Sequence, residues 1–155
     1  MLNNSLTLSL DASGKELIEK NAQLFDLSLN DMDLHHYVGG TVPPHWHSEL
    51  ELFVLLEGLV TVCVGDQSYE LHAGEGIFIN TGIIHAVIPK TTAPCPFRSF
   101  VFNSTMICGT PESVFYLKYV RPLLENGSSC LLFHDTEADS LYFKEFDTAY
   151  RACLS

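Results

Sequence analysis

Two histidines and two glutamates occupy alternate positions in the stretch 45–51, HWHSELE. Alternate side chains of an extended strand point to the same face, so the sequence predicts that His45, His47, Glu49 and Glu51 face one way. Imidazole nitrogens and carboxylate oxygens are the ligands that first-row transition metals such as Zn, Fe, Mn, Ni and Cu use in proteins. The stretch therefore indicates a metal site, or a polar pocket, that is completed by another strand.

His85 is the best candidate for the ligand from another strand. It follows the turn signal at 80–82, NTG, and begins the apolar run HAVI. The adjacent pair His35 and His36 is less suitable, since only one of two neighbouring strand residues can face inward.

The elements that must position these residues are short strands. From about residue 34 to residue 103, apolar or alternating runs are separated by Gly, Pro and Asn. This spacing is typical of an antiparallel sandwich or barrel. A two-residue hairpin is expected at 64–67, VGDQ, because Gly65 tolerates positive φ. The sequence thus predicts a mainly β domain.

The two ends of the chain have a different pattern. Before the strands, the stretch 13–22, SGKELIEKNA, predicts a brief helix with Ser13 as its cap. After residue 110 the spacing becomes helical, and Pro122 is expected to break or kink the helix. CLLFH, at 130–134, is a short strand candidate. An amphipathic helix is predicted from Ala138 onward, with one face formed by Leu141, Phe146, Ala149 and Ala152.

Composition excludes several classes of protein. With 155 residues, 46% of them hydrophobic, the chain has the size and core of one globular domain. A net charge of −11 would repel phosphate backbones and disfavours nucleic-acid binding by this segment. The five cysteines are scattered without a CxxC pair, which favours reduced thiols. Without a signal peptide or a membrane-length apolar run, we expect a cytoplasmic protein with no membrane partner.

Two motifs resemble those of the cupin family. The first reads G-x5-H-x-H-x3-E-x6-G from Gly39 to Gly58, and the second reads G-x5-N-x-G-x2-H-x3-P from Gly74 to Pro89. Asn80 stands where the family usually has proline, a difference that affects the turn and not the ligands. The resemblance implies a cupin fold, a double-stranded β-helix or jelly-roll barrel, followed by C-terminal α-helices. It also implies a metal ligand set of His45, His47, Glu51 and His85.

A wider resemblance covers nearly the whole chain. PPHWHSELELFVLLEG, GIFINTGIIHAV, YVRPLLENG and the helix near residue 140 are similar to the N-terminal sensor half of AraC-type transcriptional regulators. The resemblance implies a cupin effector-binding barrel at 1–110 and a helical dimerisation or linker segment at 111–155. The helix-turn-helix domain of that family would lie C-terminal to this chain, so DNA contact would require it. The expected partners are a small polar effector, such as a sugar, and a second copy of the chain.

The candidate residues keep more than one interpretation. The His and Glu cluster either holds a divalent metal (Zn, Ni, Fe or Mn) or is only the polar lining of an effector pocket. The expected pocket residues are Tyr37, Glu49, Phe53 and Arg98. The preferred interpretation assigns no catalytic residue. The alternatives are a stand-alone metal-dependent cupin enzyme, a dioxygenase or isomerase with Glu49 as its base, and a metal-free binding domain.

Overall fold

Short antiparallel strands dominate the fold, as the alternating runs predict. The computed structural model of the chain describes residues 6–21 and 26–154. The described residues form nine strands: β1 (Leu27–Asp33), β2 (Val42–His45), β3 (Leu50–Leu55), β4 (Leu59–Val64), β5 (Gln67–His72), β6 (Gly76–Ile79), β7 (His85–Pro89), β8 (Pro96–Phe102) and β9 (Cys130–Phe133).

The strands form two facing sheets. One has the order β1-β8-β3-β6-β9 and the other has the order β2-β7-β4-β5, and all the pairs are antiparallel. The inner faces of the two sheets bury one apolar core, which includes Phe53, Leu55, Val62, Ile77 and Phe97. Strand alternation places these side chains between the sheets, where their burial supplies most of the driving force for folding.

The C-terminal segment covers the outer face of the five-stranded sheet. Its helices are α1 (Thr105–Cys108), α2 (Arg121–Asn126) and α3 (Ser140–Leu154), and a π-helical turn at Tyr116–Val120 leads into α2. Phe146 of α3 is buried against Phe100, with 4.8 Å between ring centroids. Pro122 lies in the first turn of α2, directly after the π-helical turn, where its fixed φ is compatible with the helix.

The boundary expected at residue 110 does not separate a barrel from a purely helical segment. β9 pairs with β6 and completes the five-stranded sheet. The strand candidate in CLLFH therefore belongs to the barrel, although it lies in the second predicted segment. Among the described residues, no helix is both long and apolar enough to cross a membrane.

The helix predicted from Ser13 is wrong over the described residues 13–21. The Asp11 carboxylate accepts hydrogen bonds from the backbone N–H groups of Ser13 and Lys15, which stabilises a turn. Gly14 follows with φ of +79°, and Lys15 then forms an isolated parallel bridge with Trp46. We call residues 6–17 the N-terminal arm. This arm is extended along the barrel and does not form a helix.

Gly58, in the turn between β3 and β4, is a position where a side chain is excluded. Its φ is +89°, and a Cβ atom would lie 2.5 Å from Sγ of Cys95. We expect Gly58→Ala to lower the free energy of unfolding by about 3 kcal/mol, because backbone strain and overpacking add.

Gly65 is the matched control, since its φ is +60° but no heavy atom lies within 4 Å of an added Cβ. Gly65→Ala should cost only the strain, about 1 kcal/mol. Urea denaturation followed by circular dichroism measures both values. Equal destabilisation by the two substitutions would show that the contact with Cys95 has no effect.

Candidate metal centre

Four potential metal ligands from the two sheets meet inside the barrel. His45 ends β2, His85 begins β7, and the two residues are directly opposite each other across the strand pair. Glu51 lies on β3 in the other sheet. His47 is the fourth candidate ligand. Each of the four residues offers one nitrogen or oxygen atom, and these four atoms all lie within 4.8 Å of one another. Two ligands of one metal ion are at most about 4.4 Å apart, so the group fits an ion after small side-chain movements.

The expectation that residues 45–51 form one strand is wrong. β2 ends at His45, the chain bends at 48–49, and β3 begins at Leu50 in the opposite sheet. His47 lies in this crossing and points inward, with 1% of its surface exposed. The side chain of Glu49 is half-buried at the bend. The alternation of side chains along a strand therefore does not predict the direction in which the Glu49 side chain points.

Backbone carbonyls fix the orientation of all three imidazoles. Nδ1 lies 2.9 Å from the Pro43 carbonyl in His45, 3.1 Å from the Glu49 carbonyl in His47 and 2.8 Å from the Ile83 carbonyl in His85. A carbonyl oxygen only accepts, so each Nδ1 carries the proton and donates it. In the neutral imidazole each Nε2 then directs a lone pair toward the centre. This arrangement is the usual orientation of metal-binding histidines.

The carboxylate of Glu51 adds negative charge to the same point. Its Oε2 lies 3.3 Å from Nε2 of His47 and 3.1 Å from Nε2 of His85. Burial alone would raise the pKa of Glu51, but the hydrogen bonds and charges of the two histidines outweigh it and hold the pKa below the ordinary value. The buried carboxylate therefore needs positive charge beside it, which either protons on Nε2 of His47 and His85 or a bound cation can supply. The donor set therefore fits a divalent transition metal.

The remaining histidine, His45, is in the protonation state that binds metal. Burial, followed by the charge of His85, lowers the pKa of His45 to about 4. The imidazole is consequently neutral at pH 7, and its Nε2 is free of a proton. A metal ion could bind there without competition from protons in the neutral range.

The cavity at the centre is small. It has a volume of about 30 Å³ and is lined by the candidate ligands His45, Glu51 and His85 among apolar core residues. Such a volume accommodates one or two water molecules or a metal ion, whereas pockets for organic ligands usually measure about 300–1,000 Å³. The site therefore fits an ion and not a sugar ring.

Only two of the four expected pocket residues reach this cavity. Tyr37 and Phe53 line it. Glu49 contributes only its carbonyl, to His47. Arg98 lies on the outer face of β8, since its neighbours Phe97 and Ser99 alternate inward.

On that outer face Arg98 has two partners of its own. Its Nε donates to Oδ2 of Asp31 at 3.2 Å, and its guanidinium lies 3.8 Å from the centre of the Tyr150 ring. The side chain thus links β8, β1 and α3 on the outside of the barrel. From this position the Arg98 side chain does not contact the interior of the barrel.

Glu16 is a site residue that the sequence did not reveal. Its Oε2 lies 3.5 Å from Nε2 of His45, and its side chain lines the cavity. Burial, followed by the charge of Glu51, raises the pKa of Glu16 to about 7. Since His45 is neutral at pH 7, the contact is not an ordinary ion pair. No motif or spacing in the sequence marks Glu16, because the N-terminal arm reaches the site only through tertiary contacts.

Comparison with known proteins identifies the fold. Residues 34–101 match the sequence profile of the family described as the cupin domain. The barrel has the cupin fold. The cupin expectation for the fold is therefore confirmed, including the helices that follow the strands.

Three known proteins are similar to larger parts of the chain. The uncharacterised HTH-type transcriptional regulator YdeC of Bacillus subtilis (strain 168) is 24% identical over 124 residues, which are 80% of this chain and 42% of YdeC. The structure of ToxT from Vibrio cholerae gives a TM-score of 0.54 at 12% identity, covering 79% of this chain and 47% of ToxT. An uncharacterised conserved protein with a double-stranded β-helix domain from Klebsiella pneumoniae subsp. pneumoniae MGH 78578 gives a TM-score of 0.47 at 17% identity, covering 59% of this chain and 77% of that one.

The matches to YdeC and to ToxT are longer than the segment that matches the cupin profile. The chain spans less than half of the length of YdeC and of ToxT. The likeness to ToxT concerns the fold, and the relative with a transcriptional role is YdeC.

Loss of one ligand should weaken metal binding sharply. We expect the protein, prepared without a histidine tag, to bind about one divalent ion per chain, since the four donors converge on one point. His47→Ala should weaken binding at least about 100-fold, because loss of an outer partner of a ligand alone costs 10–100-fold. Isothermal titration with Zn²⁺, Ni²⁺ and Mn²⁺ measures this change.

His72→Ala is the matched control, because His72 is exposed on β5 and lies outside the cluster. It should leave the affinity unchanged. If the His47 and His72 variants retained the same affinity, the ligand assignment would be incorrect.

Proposed function

We propose that this chain is the sensor domain of an AraC-type transcriptional regulator and that the signal it reads is a divalent transition metal. The observation that carries the proposal is the convergence of three Nε2 atoms and the Glu51 carboxylate beside a cavity of ion size. His45, His47, Glu51 and His85 would hold the ion. When bound, the ion would crosslink the two sheets, since its ligands come from both.

The regulatory role rests on two kinds of support. The cupin motifs together with YVRPLLENG resemble the sensor half of AraC-type regulators. YdeC, a regulator of the helix-turn-helix type, matches 80% of this chain. DNA recognition would belong to a helix-turn-helix domain C-terminal to residue 155, and the charge of −11 disfavours DNA contact by the cupin itself.

The size of the cavity favours an ion over an organic effector inside the barrel. A sugar-like effector was expected from the family resemblance, but about 30 Å³ is roughly a tenth of the smallest usual ligand pocket. We therefore assign the barrel to the metal. An organic molecule could reach the metal only after the barrel mouth had opened.

Helix α3 offers a surface for a second copy of the chain. Its inner side packs on its own sheet through Phe146, while Leu141 and Ala149 remain exposed. They line a groove of about 840 Å³ that also includes Met106, Ile107 and Leu131, all of them exposed apolar residues. Exposed apolar patches of this kind mark interaction sites. We propose that the groove forms a symmetric dimer, which would place two DNA-binding domains on neighbouring half-sites.

The cavity also weighs against the enzyme alternative. A metal-dependent cupin enzyme needs room for an organic substrate beside the metal, and it needs a base within hydrogen-bond reach. The expected base, Glu49, does not line the cavity. Metal sensing needs neither of these features, so it agrees better with the closed barrel.

A fusion to a monomeric DNA-binding domain tests the proposal directly. Fused in this way, the chain should repress a reporter that carries two half-sites, and repression should change when Zn²⁺, Ni²⁺ or Mn²⁺ is added to chelator-treated cells. His47→Ala together with Glu51→Ala should abolish the metal response. Ala149→Glu should abolish repression, because a carboxylate in an apolar interface is not solvated. Reporter fluorescence is the measurement.

Thr148→Glu serves as the control for the dimer, since Thr148 is the exposed neighbour of Ala149 and lies outside the groove. It should leave repression intact. A fusion that represses equally with and without metal would contradict the sensing role. Conversion of an organic substrate by the metal-loaded protein would favour the enzyme alternative.

A further inference from the structure

The N-terminal arm delivers a second carboxylate to the metal centre. The backbone N–H of Glu16 donates to the carbonyl of Trp46 at 2.8 Å, and the backbone N–H of Trp46 donates to the carbonyl of Gly14 at 3.2 Å. Trp46 lies between the candidate ligands His45 and His47. The arm is therefore paired with the segment that carries two of the four ligands, and this pairing directs Glu16 inward.

Side-chain contacts hold the arm at the same place. The indole N–H of Trp46 donates to the carbonyl of Ser13 at 3.2 Å, and the ammonium of Lys15 lies 5.4 Å from the centre of the Trp46 ring. Trp46 has the opposite orientation to the two histidines beside it. Trp46 thus attaches the N-terminal arm to the barrel. This contact accounts for the aromatic residue between His45 and His47.

Glu16 faces an electron-rich part of the cavity. Its Oε2 lies 3.5 Å from Nε2 of His45, and that nitrogen presents a lone pair because Nδ1 donates to the Pro43 carbonyl. Glu16 and Glu51 also line the same small cavity. Carboxylates that face each other and a lone pair in a largely buried cavity must either take up a proton or bind a cation.

We propose that Glu16 is a fifth ligand of the metal, supplied by the N-terminal arm, and that it directs the site toward metals of high coordination number. The inference rests on the proposed metal centre. Neighbouring ligands of an octahedral ion lie about 3.0 Å apart, and Glu16 lies 3.5 Å from His45. Glu16 is outside the group of four mutually close ligand atoms, so its side chain would have to move toward the other three ligands to bind the same ion. The resulting set has three nitrogen and two oxygen donors.

Five protein ligands change the order of metal preference. Zn²⁺ in proteins is usually satisfied by four ligands in a tetrahedron. Mn²⁺ and Fe²⁺ favour six positions and oxygen donors, so an added carboxylate stabilises them more than it stabilises Zn²⁺. The same bond ties the arm to the occupied site, which makes the arm more ordered when the metal is bound.

Titrations of the whole chain with Mn²⁺, Zn²⁺ and Co²⁺ test the proposal. Glu16→Gln keeps the shape of the side chain and removes its charge, and it should weaken Mn²⁺ binding about 10–100-fold while Zn²⁺ affinity changes far less. In the wild type, bound Co²⁺ should show the weak visible absorption of a five- or six-coordinate ion. In Glu16→Gln the absorption should increase as the coordination number falls.

Hydrogen–deuterium exchange adds a readout that does not depend on affinity. Metal should slow exchange of the amides at residues 14–17 in the wild type, and this protection should be lost in Glu16→Gln. Glu19→Gln is the control, because Glu19 is an exposed carboxylate three residues away. It should behave as the wild type in all three measurements.

The outcomes separate this inference from the metal centre itself. If the wild type binds metal, and Glu16→Gln has the same Mn²⁺ affinity, Co²⁺ spectrum and exchange protection, the four-ligand centre stands and the role of Glu16 is overturned. If the wild type binds none of the three metals, both proposals fall. Selective loss of Mn²⁺ affinity in Glu16→Gln, but not in Glu19→Gln, supports both.

Discussion

The geometry of the candidate metal centre depends on three hydrogen bonds between imidazole Nδ1 atoms and backbone carbonyls. Those of His45 and His85 go to residues two positions before them, and that of His47 goes to a residue two positions after it. Because the acceptors belong to the backbone, the orientation of each ring is set by the strand ends and not by another mobile side chain. The lone pairs therefore converge before any ion arrives, and this preorganisation lowers the entropy cost of binding.

The candidate ligands come from both sheets of the barrel. Ligands from β2 and β7 face a ligand from β3 across the core, so an ion bound among them bridges the sheets. The apolar residues around the cavity, such as Phe53 and Val62, are closely packed and leave little free volume. A closed and preformed barrel suits recognition of an ion. Recognition of a larger molecule would require the packing to change.

The outside of the barrel links the five-stranded sheet to helix α3. α3 lies on the five-stranded sheet through Phe146 and Tyr142, and Arg98 joins β8 to Asp31 and to the ring of Tyr150. Any shift of the sheet on metal binding would thus reach α3 through direct contacts. Coupling of this kind needs two arrangements of the sheet that differ in metal affinity.

The sequence by itself determined the fold and most of the residues of the candidate metal site. Alternation with turn residues predicts the β-barrel, and the spacing of the two motifs selects His45, His47, Glu51 and His85, which the structure brings together. These features are local or follow a fixed spacing. The sequence also indicates the helix at the C-terminus, because its apolar periodicity is contained in a single segment.

The tertiary structure decided everything that depends on how distant segments meet. The bend at 48–49 places Glu49 outside the cavity, and alternation along β8 places Arg98 on the outer face. Glu16 enters the site through backbone pairing between the arm and Trp46, which no spacing in the sequence encodes. The volume of the cavity, and hence the preference for an ion over a sugar, likewise results from packing across two sheets.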